Sequence, residues 1–179
     1  MLPDLCARTG AKVVYVPILL GGLFKLTNNQ APMMRYAETP AKQKYEMLEF
    51  QRFVNAHAIP FKMNPRFPLN TLYVMRGAIA AQRLGCFAPY MDAVMAAMWH
   101  DAADMGDLDV VRDTLDKAGL DSAALLALAD DPEVKAELIA NTEAAAKRGA
   151  FGVPTFFVDE EMFWGKERLG QVEATLTKS

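Results

Sequence analysis

The sequence predicts an α/β fold in which a small sheet carries a large all-helical insertion. Three observations predict it. A short, β-branched and nearly all-apolar segment, Lys12–Leu20 (KVVYVPILL), stands near the start. Strand signals then vanish from Thr39 to Ala145. They return as two four-residue runs, Thr155–Val158 and Glu161–Trp164, followed by a closing helix. A sheet interrupted by helices reads in this way, and parallel strands need a helical crossover that such an insertion can supply.

The elements follow in order. Residues 1–9 form a helix, with Leu2, Leu5 and Cys6 on one face and Gly10 as its left-handed stop. Lys12–Leu20 has the composition of a strand covered on both faces. GGLFKLTNNQAP, after it, is a Gly- and Asn-rich loop. Thr39 caps a helix with Pro40 at its first position. Ile59–Leu69 holds three prolines and is a loop. Asn70 starts a helix that ends at Gly85, and Phe87–His100 is a helix with Met91, Met95, Met98 and Trp99 along one side. That stripe reads as core rather than as a cofactor contact. Asp107–Ala118, Ser122–Ala129 and Pro132–Arg148 complete the block, Asp131-Pro132 being a strong start signal. Asp159-Glu160 has the length of a two-residue hairpin turn. Lys166–Leu176 is the closing helix.

Composition excludes several classes. The 179 residues carry 19 Lys+Arg against 22 Asp+Glu, a formal charge of −3, with no concentrated basic face for phosphate. With 52% hydrophobic residues the chain is not of a disordered type. No apolar run reaches the roughly 20 residues that span a bilayer, and the first ten residues do not read as a signal peptide. No membrane and no nucleic-acid partner is therefore expected, and a reducing cytoplasm is the expected compartment. Cys6 and Cys86 lie 80 residues apart, so no Cys-x-x-Cys motif exists; with only His57 and His100, no metal site is expected.

The most informative segment is Phe151-Gly152-Val153-Pro154-Thr155-Phe156-Phe157. Proline here fits the entry to a strand, not its centre. A cis Pro154 would turn the Val153 backbone outward, where it could pair with an extended peptide. An ordinary Gly/Pro turn is the plainer alternative.

GVPTFFV followed by EMFWGKERL resembles the C-terminal signature of 2-hydroxychromene-2-carboxylate isomerases, relatives of the kappa-class glutathione transferases. ARTGA, PILLGGLFKLTNNQAP, PAKQKYE, FPLNTL and MWHDAADM match further, in family order, from residue 7 to residue 173. The resemblance implies a thioredoxin-like core, residues 1–32 and 150–179, incomplete at its N-terminus. The inserted helical domain would be 33–149, with glutathione bound between the two. It implies that Val153, before cis-proline Pro154, pairs its backbone with the cysteinyl unit of glutathione. Lys166 and Glu167, in the turn Gly165–Arg168, receive the γ-glutamyl end; Glu167 stands where the family usually has Asp, one methylene shorter. At a helix start free N–H groups favour a carboxylate, although an acid there also simply complements the helix dipole. Asn29 matches a glutathione contact. As substrate-binding residues, Lys42 matches a lysine near the glutathione or substrate carboxylate and Asn70 belongs to a pair that matches a position near the cleft, against the alternatives of a solvated lysine and a helix N-cap.

The function implied is glutathione-dependent cis–trans isomerisation of 2-hydroxychromene-2-carboxylate to trans-o-hydroxybenzylidenepyruvate in naphthalene-type catabolism. The implied cofactor is glutathione, the partner a small aromatic carboxylate, the assembly a homodimer. The alternatives are a kappa-like transferase or peroxidase and a non-catalytic glutathione-binding remnant. The family's thiol-activating serine follows a first strand and matches nothing in this sequence. The resemblance places it upstream of Met1, in a strand, turn and helix start of roughly 15–25 residues on ordinary element lengths. Cys6, on an apolar helical face, reads as an inert thiol rather than its substitute.

Overall fold

The computed structural model describes residues 1–178 and, within them, every side chain except those of Pro32 and Met33. The chain divides into two compact units, Met1–Asn29 with Ile139–Ser179 and Gln30–Leu138. The elements are α1 (Leu2–Thr9), α2 (Leu20–Leu26), α3 (Pro32–Arg35), α4 (Pro40–Ala56), α5 (Leu72–Arg83), α6 (Phe87–Trp99), α7 (Leu108–Lys117), α8 (Ser122–Ala129), α9 (Pro132–Lys147), β1 (Thr155–Val158), β2 (Glu161–Trp164) and α10 (Leu169–Leu176).

In the first unit, α1 ends at Gly10 with φ 71, as a left-handed stop requires. α1 packs on α10, and α10 on β1. Leu5 and Val172 are buried, and Arg8 donates two hydrogen bonds to Glu173, at 2.6 and 2.9 Å. β1 and β2 form an antiparallel hairpin with Thr155 opposite Trp164 and Val158 opposite Glu161. Asp159 turns it at φ 49, a conformation that a short polar side chain tolerates. Arg148 holds that turn, donating to the Asp159 carbonyl at 2.9 Å while its guanidinium lies 3.8 Å from the Phe157 ring centroid.

Two expectations are corrected in this unit. Lys12–Leu20 is not a covered strand. The side chains of Val13, Val14, Tyr15 and Val16 face solvent, Val14 being 83% exposed, while Pro17 is buried and Ile18–Leu20 are half-buried; among the described residues the backbones of Val13, Val14 and Val16 make no hydrogen bond. β-propensity does not make a strand without a neighbour to pair with. The segment is instead tied at its end to α9: Asn141 donates to the Pro17 carbonyl at 3.3 Å and the Leu19 N–H donates to Thr142 Oγ1 at 3.0 Å. The second correction concerns GGLFKLTNNQAP, which is not all loop but contains α2 and α3. Helix α2 forms despite Gly21-Gly22 because Leu23 is completely buried, and Gly22 lets the helix close to within 3.4 Å of the Thr142 methyl, measured from an added Cβ. Packing outweighs propensity there.

The second unit is a helical bundle with its core on α5, α6, α7 and α8. Tyr90 sets the face of α6. Its hydroxyl donates to the Val74 carbonyl at 2.7 Å across Gly77, where an added Cβ would sit 2.9 Å from the ring carbon Cζ. The buried stripe is accordingly Tyr90, Val94, Ala97 and Met98. The expected stripe is corrected by this: Met98 belongs to the core, but Met95 points to solvent. The proline-rich loop 59–69 is pinned by buried Asn64, which donates to the carbonyls of Met98 and Ala103 at 3.1 and 2.8 Å. Asp107 and Asp121 cap α7 and α8 through Asp109 N–H and Ala124 N–H. Helix α9 starts in this unit, with Asp131 accepting from Glu133 N–H at 2.7 Å, and ends in the other. The division therefore falls inside α9, because Asn141 and Thr142 hold residues 17–19.

Candidate functional site

The site is the loop between α9 and β1. The Val153–Pro154 peptide is cis, and Val153 is 49% exposed. Its neighbours' carbonyls are all committed. Asn29 Nδ2 donates to the Phe151 carbonyl at 2.8 Å, Thr155 Oγ1 to the Gly152 carbonyl at 2.7 Å, and Gly165 N–H to the Pro154 carbonyl at 2.9 Å. Among the described residues the N–H and C=O of Val153 itself have no hydrogen-bond partner. A backbone pair left open between carbonyls that are bonded is a ready point for β-type pairing with an extended ligand.

Each neighbour is placed by local sequence. Asn29 follows Asn28, which ends α2 at φ 51, and the Asn29 N–H returns to the Phe24 carbonyl at 2.9 Å in a helix-ending bond. One Asn caps, the other reaches the loop. With its nitrogen spent on Phe151, Asn29 has Oδ1 left to offer a ligand. Gly165, at φ 106, makes the corner into a 3-10 turn, Lys166–Arg168, that precedes α10; the closing helix is thus tighter at its start than a continuous 166–176 helix. A Cβ on Gly165 would lie 2.9 Å from Glu167 Oε2, so glycine also makes room for the carboxylate to fold back. Glu167 pairs with the Lys166 ammonium. Burial works against its charge, but the Lys166 ammonium, the residue's own backbone N–H and the Arg168 guanidinium hold it below the ordinary glutamate range. An anionic carboxylate in the turn whose Gly165 N–H donates to the Pro154 carbonyl suits a ligand ammonium.

Asn29, Val153, Lys166 and Glu167 thus meet around one loop of the first unit. Lys42 and Asn70 belong to the second. Lys42 Nζ lies 3.9 Å over the Tyr36 ring centroid, and Asn70 Oδ1 accepts from Leu72 N–H at 3.1 Å at the start of α5. Thr155 and Trp164 escape motif reading. A threonine directly after Gly-Val-Pro could have been seen as a cap for the loop; nothing in the sequence marks Trp164. Among the described residues no group of three His, Cys, Asp or Glu side chains is placed to hold a metal ion, and no helix is long and apolar enough to cross a membrane.

A cis-proline loop leading into a hairpin and a capping helix, with a helical block inserted before it, defines a thioredoxin-like protein. The chain belongs to the DSBA-like thioredoxin domain family, whose sequence profile matches residues 1–177. It is similar to the 2-hydroxychromene-2-carboxylate isomerase of Sphingobium xenophagum, 29% identical over 175 residues, 98% of this chain and 88% of the relative. Its similarity to the isomerase of that name from Pseudomonas sp. (strain C18) is 28% over 177 residues, covering 96% and 79%. That from Pseudomonas putida is 27% identical over 180 residues, covering 98% and 84%. A solved 2-hydroxychromene-2-carboxylate isomerase superposes with a TM-score of 0.83 at 24% identity, over 99% of this chain and 85% of that one, which shows the shared fold.

Proposed function

We propose that the protein is a glutathione-dependent cis–trans isomerase acting on 2-hydroxychromene-2-carboxylate and yielding trans-o-hydroxybenzylidenepyruvate. The observation that carries the proposal is the open Val153 backbone pair beside the Gly165–Arg168 turn. The names of the similar proteins supply the reaction. Bound glutathione would supply a thiolate for reversible addition to the conjugated double bond; with the hemiketal C–O bond opened to phenol and ketone, rotation about the resulting single bond and elimination of the thiolate would give the trans product and unchanged glutathione. The residues fit such a ligand. Val153 pairs with the main chain of its cysteinyl unit, and Glu167 receives the γ-glutamyl ammonium. Asn29 holds the loop in place, and this orientation in advance is where the protein lowers the barrier. Lys42 and Asn70 enter as carboxylate contacts on resemblance alone. Thr155 is not assigned to thiol activation, because its hydroxyl is committed to Gly152. A homodimer in a reducing cytoplasm is part of the same reading.

The test is the absorbance change on mixing 2-hydroxychromene-2-carboxylate and glutathione with purified protein. It is run on the 179-residue chain and on a form carrying any in-frame sequence upstream of Met1. Glutathione-dependent turnover by either form supports the proposal, and turnover by neither at saturating glutathione removes it. Conjugation of chloro-dinitrobenzene faster than isomerisation would instead favour a transferase.

A further inference from the structure

Trp164 stands at the site without a role. It closes β2 opposite Thr155, so its backbone is fixed by the hairpin, yet its side chain remains 46% exposed. The indole lies with its nitrogen edge against Gly152: a Cβ on that glycine would be 2.7 Å from Nε1 and 3.3 Å from Cε2. Phe151 supports the ring, with centroids 4.9 Å apart and planes inclined by 51°. Among the described residues the indole N–H has no acceptor, and the half-exposed ring leaves it free to donate to a ligand.

The polarity of the ligand follows from the loop. A residue that gives both its N–H and its C=O to a single ligand residue forms an antiparallel pair. In such a pair the ligand runs opposite to the loop. The unit before the paired one lies toward Pro154, and the unit after it lies toward Gly152. The Pro154 carbonyl accepts from Gly165 N–H, two residues before Glu167, which agrees with the γ-glutamyl end lying there. The C-terminal glycyl unit then lies along Gly152, where the indole N–H waits.

We infer that Trp164 is a specificity-determining residue that donates its indole N–H to the C-terminal glycyl carboxylate of the bound thiol peptide. This rests on the proposed function in that the peptide is glutathione. Gly152 is part of the device, because any side chain there would displace the indole. The site then distinguishes a γ-glutamyl-cysteinyl-glycine from γ-glutamylcysteine by its far end.

The test is calorimetric titration of the wild-type protein, Trp164→Phe and Gly152→Ala with glutathione and, separately, γ-glutamylcysteine. Phenylalanine keeps the ring and removes only the N–H; an unchanged melting temperature and circular dichroism spectrum verify its fold. The expected result is a loss of about tenfold in glutathione affinity in Trp164→Phe, the scale of a hydrogen bond to a charged group. γ-Glutamylcysteine affinity should stay within about twofold, since that ligand lacks the glycyl unit and ends one residue short of the indole. Gly152→Ala, which pushes the indole aside, should show the same selective loss. Equal weakening for both peptides, or no change for either, overturns the assignment while leaving the proposed function standing. Failure of the wild-type protein to bind either peptide overturns both.

Discussion

Asn29 and Thr155 show how one side chain each can fix a backbone group that a ligand must find in place. Neither needs to touch the ligand. Asn29→Ala removes the 2.8 Å bond to the Phe151 carbonyl and should lower stability by about 1 kcal/mol, the net value of a partly buried neutral hydrogen bond. Urea unfolding measures that loss, and glutathione affinity should weaken with it. Glu167 makes a prediction of another kind. Its folded pKa is depressed, so its charge-dependent contribution is complete above the ordinary value of 4.5 and is lost as pH falls through the lower folded value. Lys166→Met removes a cause of that depression. Carboxyl-carbon NMR should find Glu167 titrating below the ordinary range in the wild-type protein and closer to it in the variant. Titration at the same pH in both would contradict the pairing.

At the scale of elements, the helices were the most legible part of the sequence, because caps and prolines announce them. Thr39-Pro40, Asp107, Asp121 and Asp131-Pro132 all mark real starts, and Gly10 and Gly85 mark real stops. What the sequence hid was decided by tertiary contacts. Helix α2 exists because Leu23 has a buried place, and the face of α6 turns on Tyr90 fitting over Gly77. The Met91–Met95–Met98 pattern is equally periodic and only partly right, since spacing alone does not say which of two neighbouring stripes meets a partner. Gly77→Ala tests the Tyr90 contact. The added methyl displaces the phenol and its bond to Val74, so the variant should lose about 2–3 kcal/mol, the range of an overpacked core. Burial holds the Tyr90 hydroxyl neutral well above the ordinary phenol range, so this loss should not vary between pH 6 and 9, values at which an ordinary phenol of about 10 is also neutral.

At the scale of the whole molecule, the candidate site was legible as a motif through its resemblance to a family signature, since spacing alone left an ordinary Gly/Pro turn the plainer alternative. The bonding that opens Val153 was not legible, since it depends on Asn29, which bonds Phe151 across 122 residues of sequence, and on Gly165. The apolar segment Val13–Val16 shows the opposite case, a clear strand signal with nothing paired to it. Amide hydrogen exchange should separate the two: Val13, Val14 and Val16 near the rate of an unstructured chain, and the buried helix α5 among the slowest amides. Protection of those valines would contradict the absence of pairing.

The account rests on the Val153 backbone as the point where a thiol peptide attaches. Titrating the isotope-labelled chain with glutathione and following every amide by NMR tests it most directly. Saturable shifts centred on Val153 and Gly152 and extending to Gly165–Arg168 are expected, with the amides of α7 and α8 unmoved. Saturable shifts that leave Val153 unmoved, or no shifts at millimolar glutathione, would contradict it.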